Sequence, residues 1–238
     1  MRVPFRFVMP ALLALAACGS DGKGTVRVTA YGESFIEEGI PAEEVVDGWA
    51  VTFSRFEVAV RDVVVAGARV SVPDAIELTT PSSGEGHELG TVLVPAGEYR
   101  EAGFTVARVE VEGMAEKGDE AKAFSWVLDA PTHYAECDTT TVVPDGGTAT
   151  FQITVHADHL FYDSLVAEEP ELRFQTLADA DTDEDGEITE AELAVTDIGA
   201  YDPGSEGGID TLWEWLVAQS RTLGHVDGEG HCRTSAED

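Results

Sequence analysis

Alternation of apolar and polar residues governs the chain from residue 25 to about residue 161. Val26, Val28 and Ala30 alternate with Thr25, Arg27 and Thr29, the period-two pattern of a strand with one buried face. Trp49, Val51 and Phe53 alternate likewise, and then the apolar parity moves to Phe56, Val58 and Val60. A slip of one residue turns every side chain to the opposite face, so this change predicts a β-bulge near Ser54-Arg55. Val70 and Val72 run into Pro73-Asp74, Val92 and Val94 run into Pro95-Ala96-Gly97, and Phe104 and Val106 open a further strand. Pro144-Asp145-Gly146-Gly147 lies between residues 140–143 and 148–156 and reads as the turn of a hairpin. Short strands punctuated this often predict a mainly β fold, an antiparallel β-sandwich over residues 25–165.

Beyond the sandwich the period changes. Residues 170–178 read as a short helix with Pro170 in its first turn, and residues 190–198 as another that offers Leu193 and Ile198 for packing. Ile209, Leu212, Trp213, Leu216 and Leu223 keep amphipathic helical spacing from a cap at Asp210 up to Gly224. On that spacing Trp213 is expected in the core rather than on a ligand platform with Trp215. The expected organisation is therefore a sandwich, a helical appendage over residues 166–200, and a terminal helix with its tail over residues 201–238.

Between the two short helices stands the densest chemistry of the chain. Asp181, Asp183, Asp185, Gly186 and Glu192 satisfy the D-x-D-x-D-G-x5-E pattern of a calcium-binding loop. Ca²⁺ takes six to eight hard oxygens, and carboxylates at alternate positions converge if the chain curls around one point. Gly186 stands where that curl is sharpest. Glu187 is expected to offer its backbone carbonyl, Thr189 to act directly or through a water, and Glu192 to close the shell with both oxygens. These residues resemble the EF-hand family over about thirty positions, with one hand and no second loop. The resemblance implies bound Ca²⁺. A single hand lacks the helix pair that a calcium switch opens, so the expected role of the ion is structural.

The start of the chain bears on location. Met1 to Arg6 carry two arginines, residues 7–14 are apolar, and small residues follow, as in a secretory leader. The run is too short to span a bilayer. Leu15-Ala16-Ala17-Cys18 resembles the lipobox of bacterial lipoproteins, which implies removal of residues 1–17 and acylation of Cys18, with residues 18–24 as a polar tether to the lipid bilayer. Val94-Pro95-Ala96-Gly97-Glu98-Tyr99 with Phe104-Thr105-Val106 resembles uncharacterised bacterial β-sandwich lipoproteins. If Cys18 is lipidated, Cys137 and Cys232 are the two cysteines left, and in an exported protein they are expected to pair.

Charge narrows the partners. The chain has 14 Lys and Arg against 46 Asp and Glu, a formal net charge of −32. Such a surface repels nucleic acid and anionic headgroups, and cations remain as plausible ligands.

Six histidines carry a competing expectation. His156 and His159 stand where a strand ends, and His133, His225 and His231 could join them only through the fold. Imidazoles suit copper or zinc, but two histidines three apart point to opposite faces of an extended strand, so a turn after His156 is required. The sequence contains no G-x-S-x-G, H-E-x-x-H, P-loop or dinucleotide fingerprint, and the expectation is a non-enzyme. The readings that remain are a lipid-anchored calcium-binding protein, a periplasmic copper or zinc protein using His156 and His159, and an adhesion or carbohydrate-binding module.

Overall fold

The computed structural model describes residues 22–205 and 207–236. The leader, Leu15 to Cys18 and most of the expected tether lie outside the described residues.

In chain order the elements are β1 (Lys23–Tyr31), α1 (Glu33–Glu37), β2 (Ala50–Val65), β3 (Ala68–Arg69), β4 (Ile76–Glu77), β5 (His87–Pro95), β6 (Gly97–Tyr99), β7 (Ala102–Lys117) and β8 (Glu120–Leu128). Then follow β9 (Thr132–Ala135), β10 (Thr141–Val143), β11 (Thr148–Val155), α2 (Gln175–Ala178), β12 (Glu187–Ile188), α3 (Glu190–Leu193), α4 (Leu212–Gln219), β13 (Gly224–Val226) and β14 (Arg233–Ala236). The molecule is mainly β. An eight-stranded sheet runs β12-β8-β7-β2-β3, with β9 on β7, β14 on β9 and β4 on β2. A four-stranded sheet runs β13-β11-β1-β5, and β10 pairs with β6 in a separate ribbon.

The inner faces of the two larger sheets share one hydrophobic cluster. Val26 and Val28 of β1, Phe56 and Val58 of β2 and Phe151 and Ile153 of β11 are all fully buried in it. The parity change in β2 is a bulge: its register against β7 shifts between Phe53 and Arg55. Opposite the bulge, Phe53 faces Gly113, where a Cβ would lie 2.4 Å from the Thr52 carbonyl oxygen and 2.5 Å from the Phe124 ring. Only glycine lets the Phe124 ring lie across β7 there. That ring stacks on Trp126 at 4.5 Å and reaches Phe174 at 6.2 Å, which ties the sheet to the helical part.

Strand pairing departs from the expected pattern at two places. Most neighbours are antiparallel, yet β1 pairs with β11 and β12 with β8 in parallel. The segment around Pro144 is not a hairpin, because β10 pairs with β6 while β11 pairs with β1 and β13. The Pro144 turn instead packs against the start of β1, with Gly146 N donating to Lys23 O (2.7 Å) and Thr25 N to Gly147 O (2.9 Å).

The helices are shorter than the periodicity predicts. The expected 170–178 helix is only the one turn of α2, and the expected 190–198 helix is only α3. The terminal helix starts at a Thr211 cap, closed by a capping box with Glu214, one residue past the expected Asp210. Trp215, not Trp213, is its buried tryptophan; Trp213 is half-buried against the core. Leu177, Leu193, Leu212 and Trp215 join the same cluster as the sandwich residues, so the helical part shares the sandwich core. Among the described residues no helix is long and apolar enough to cross a membrane.

Candidate metal centres

The acidic loop is held from both sides. At its entrance Asp47 Oδ2 accepts from the backbone amides of Phe174 (2.9 Å) and Gln175 (2.8 Å), and the Trp49 indole donates to Gln175 Oε1 (3.0 Å). Asp47 thereby satisfies amides that a one-turn helix cannot. At its exit Thr189 caps α3 and Glu192 returns the contact, a capping box inside the loop itself. Glu192 Oε2 accepts from the Thr189 amide (3.0 Å) and hydroxyl (2.8 Å), and Oε1 accepts from the Thr182 amide (3.0 Å). Thr189 therefore orients Glu192 across the loop.

Between these ends the chain curls as the spacing predicts. Gly186 has φ of 85°, where glycine is at ease and other residues are strained. Asp181 Oδ2 accepts from the Gly186 amide (3.0 Å), and Asp181 Oδ1 from that of Asp185 (3.2 Å). Oxygen atoms of Asp181, Asp183 and Glu192 lie within 4.8 Å of one another. Asp185 stands outside that trio and accepts from the Glu187 amide (2.8 Å). The three convergent carboxylates are hard donors suited to a cation.

Two partners of this loop come from the sheet. Glu187 and Ile188 form β12, pairing with Ala123 and Phe124 of β8 at the sheet edge. Ala123 N donates to Gly186 O (2.8 Å), the Trp126 indole N–H donates to Ile188 O (2.9 Å), and Ile188 is buried. The second partner is Lys122, whose Nζ lies 2.5 Å from Asp181 Oδ2. That hydrogen bond is the chief cause holding the Asp181 carboxyl below the usual aspartate range, with the Gly186 and Asp185 amides adding to it. The amide and hydroxyl of Thr189 lower Glu192 in the same sense. Lys122 is one of only three lysines in the chain, with Lys23 and Lys117, which is the sole sequence signal that could have singled it out.

The second centre is a group of histidines. Just after β11 a 3-10 turn at Asp158–Phe161 supplies the reversal that His156 and His159 need, and their ring centroids come to 5.4 Å. His225 on β13 lies 4.3 Å from His156 and 5.1 Å from His159, and His231 lies 5.0 Å from His225. β13 pairs with β11, and the turn after it closes through mutual hydrogen bonds of Val226 and Gly230 (2.9 Å each). Cys232, next to His231, is disulfide-bonded to Cys137, so the bridge expected from the sequence also pins this turn. His133 is elsewhere, on β9, with Nδ1 3.2 Å from Thr105 Oγ1.

Burial dominates the electrostatics here. With burial as the chief cause His159 is lowered to about 4 and, with neighbouring imidazoles contributing, His225 to about 3, so both rings are neutral at pH 7. Ligand atoms of His156, Asp158 and His159 lie within 4.8 Å of one another, as do those of His156, His225 and Glu229. His225 and Glu229 join the group only through the fold.

No protein-family model, curated protein or solved structure matches this chain.

Proposed function

We propose that the protein binds Ca²⁺ in the 181–192 loop and that the ion is structural, fastening the helical segment to the sandwich. The observation that carries this reading is the convergence of Asp181, Asp183 and Glu192 oxygens within 4.8 Å in a loop whose seventh and eighth positions form an edge strand of the large sheet. A paired EF-hand closes its loop against a second hand; here β8 takes that place. Ligand binding to the folded state alone stabilises it by RT ln(1 + [L]/Kd), about 2.7 kcal/mol at a hundredfold excess over Kd. No catalytic role is assigned.

In the same reading the chain is exported and held to a bacterial membrane by acyl chains on Cys18. The disulfide between Cys137 and Cys232 favours an oxidising compartment.

Calorimetry on the disulfide-intact chain tests the calcium reading. One site is expected, with Kd on the order of 10⁻⁴–10⁻³ M as in extracellular modules, and Glu192→Gln should weaken it strongly. Equal heats for wild type and variant would overturn it. Mass spectrometry of membrane-extracted protein tests the anchor, and a chain that does not begin at an acylated Cys18 would refute it.

A further inference from the structure

We propose that His156, His159 and His225 form a second metal site, for a divalent ion that prefers imidazole, Zn²⁺ or Cu²⁺, with Asp158 or Glu229 as carboxylate ligand. The site is built from elements other than the acidic loop and its donors are of different chemistry. Nitrogen donors suit borderline transition ions, whereas an all-oxygen loop suits Ca²⁺.

Hydrogen bonding assigns one ring in detail. Thr222 Oγ1 donates to Gln219 O (2.8 Å), which uses its only proton. The same oxygen lies 2.9 Å from His159 Nδ1 and must therefore accept, so His159 carries its proton on Nδ1 and leaves Nε2 as a lone pair. A hydroxyl or carboxylate that fixes the far nitrogen is the usual support of a metal-binding histidine. Both nitrogens of His156 have an oxygen beside them, Nδ1 3.4 Å from Glu33 Oε2 and Nε2 3.3 Å from Gly228 O, so a bound ion has to displace one of these contacts. Glu33 itself has φ of 52°, an uncommon conformation for a residue with a Cβ.

Two further atoms lack any partner. His225 Nδ1 and Asp158 Oδ1 are buried without a hydrogen bond, while the other Asp158 oxygen accepts from Tyr162 (2.6 Å). His225 is 5% exposed and Asp158 9%. A buried polar atom with no partner is costly; an ion held with His156 and His159 would take up Asp158, and one held with His156 and Glu229 would take up His225. Access exists: His159, His225 and His231 line a cleft of about 190 Å³ together with Tyr134 and Thr222, and His231 stands exposed at the turn.

The test uses the disulfide-intact chain without a histidine tag, in saturating Ca²⁺ so that the acidic loop is occupied. Zn²⁺ and Cu²⁺ are titrated separately into wild type, Glu192→Gln, and the His159→Gln/His225→Gln double variant. One ion per chain is expected in wild type and in Glu192→Gln, with affinity lower by on the order of a hundredfold or more in the double variant. The ion with the larger wild-type affinity, measured by competition, identifies the natural class. Equal binding by the double variant would overturn the proposal. Should that variant not fold, wild type alone decides: Cu²⁺ must show nitrogen hyperfine coupling from at least two imidazoles, and its absence refutes the site.

Discussion

Lys122 Nζ lies 2.5 Å from Asp181 Oδ2, so the first carboxylate of the acidic loop is already paired with a cation from the strand on which the loop docks. Lys122 belongs to β8, one residue before Ala123, which pairs with Glu187. The same strand thus gives the loop its backbone partner and its counter-charge.

From this pairing comes the first prediction. A bound Ca²⁺ has to share or displace the ammonium, and the repulsion lowers affinity. Lys122→Met should bind Ca²⁺ tighter by on the order of three- to tenfold, about 0.7–1.4 kcal/mol. Without calcium the same variant should melt lower, because clustered carboxylates lose their cation. Calorimetry and thermal melts with and without Ca²⁺ read both effects; weaker calcium binding would contradict the role given to Lys122.

Docking of the loop rests on the Trp126 indole, which donates to Ile188 O in a buried setting. Trp126→Phe removes a hydrogen bond to a buried carbonyl, a loss of about 0.5–1.5 kcal/mol, and adds the effect of a cavity. Under the calcium reading the variant should also bind Ca²⁺ more weakly, since the loop is no longer held in shape. A variant destabilised in chemical denaturation yet unaltered in calcium affinity would uncouple the loop from the sheet.

Acid stability should depend on Glu77. Burial acts to raise its carboxyl, but amides of Phe56 (2.9 Å) and Thr79 (3.0 Å), with the Thr79 hydroxyl, outweigh it and hold it below the usual glutamate range. A lowered pKa in the folded state means stabilisation that is full above the ordinary glutamate value, about 4.3, and lost as pH falls through the folded value. Glu77→Gln should therefore reduce stability near neutrality and flatten its decline below about pH 4.3. Denaturation midpoints measured between pH 7 and 3 check this; parallel curves for the two proteins would refute it.

The Cys137–Cys232 bridge spans a sequence separation of 95 and holds the turn that bears His225 and His231. In the chain-entropy account its removal costs about 4–5 kcal/mol. Cys137→Ala/Cys232→Ala should lower the denaturation midpoint by the corresponding amount. Amide exchange should rise most at β13 and β14, the elements either side of the cysteine that returns to Cys137.

Local chemistry is what the sequence determined. The bulge in β2 was legible because strand parity is a local property, and Phe53 and Phe56 cannot both face the core without an extra residue between them. The shape of the acidic loop was legible in part, because its spacing lies within twelve residues: Asp181, Asp183 and Glu192 converge and Gly186 takes a positive φ, while Asp185 stands outside the trio. The cysteine pair followed from number: with Cys18 set aside, Cys137 and Cys232 were the two cysteines left. What the sequence could not decide was which distant segments meet. Strand pairing depends on the whole sheet, so the Pro144 turn read as a hairpin while β11 paired in parallel with β1. Helix length was overread: Asp47 from a distant loop takes the Phe174 and Gln175 amides and so sets where α2 begins, and α3 ends at Leu193. Trp215 is the fully buried tryptophan and Trp213 only half-buried against the core because the direction from which the sandwich approaches α4 is a tertiary fact. Lys122 reached Asp181 and His225 reached His156 only because β8 and β13 were laid beside the loop and β11. Hydrophobic burial, which is non-directional and acts over the whole chain, decided those meetings.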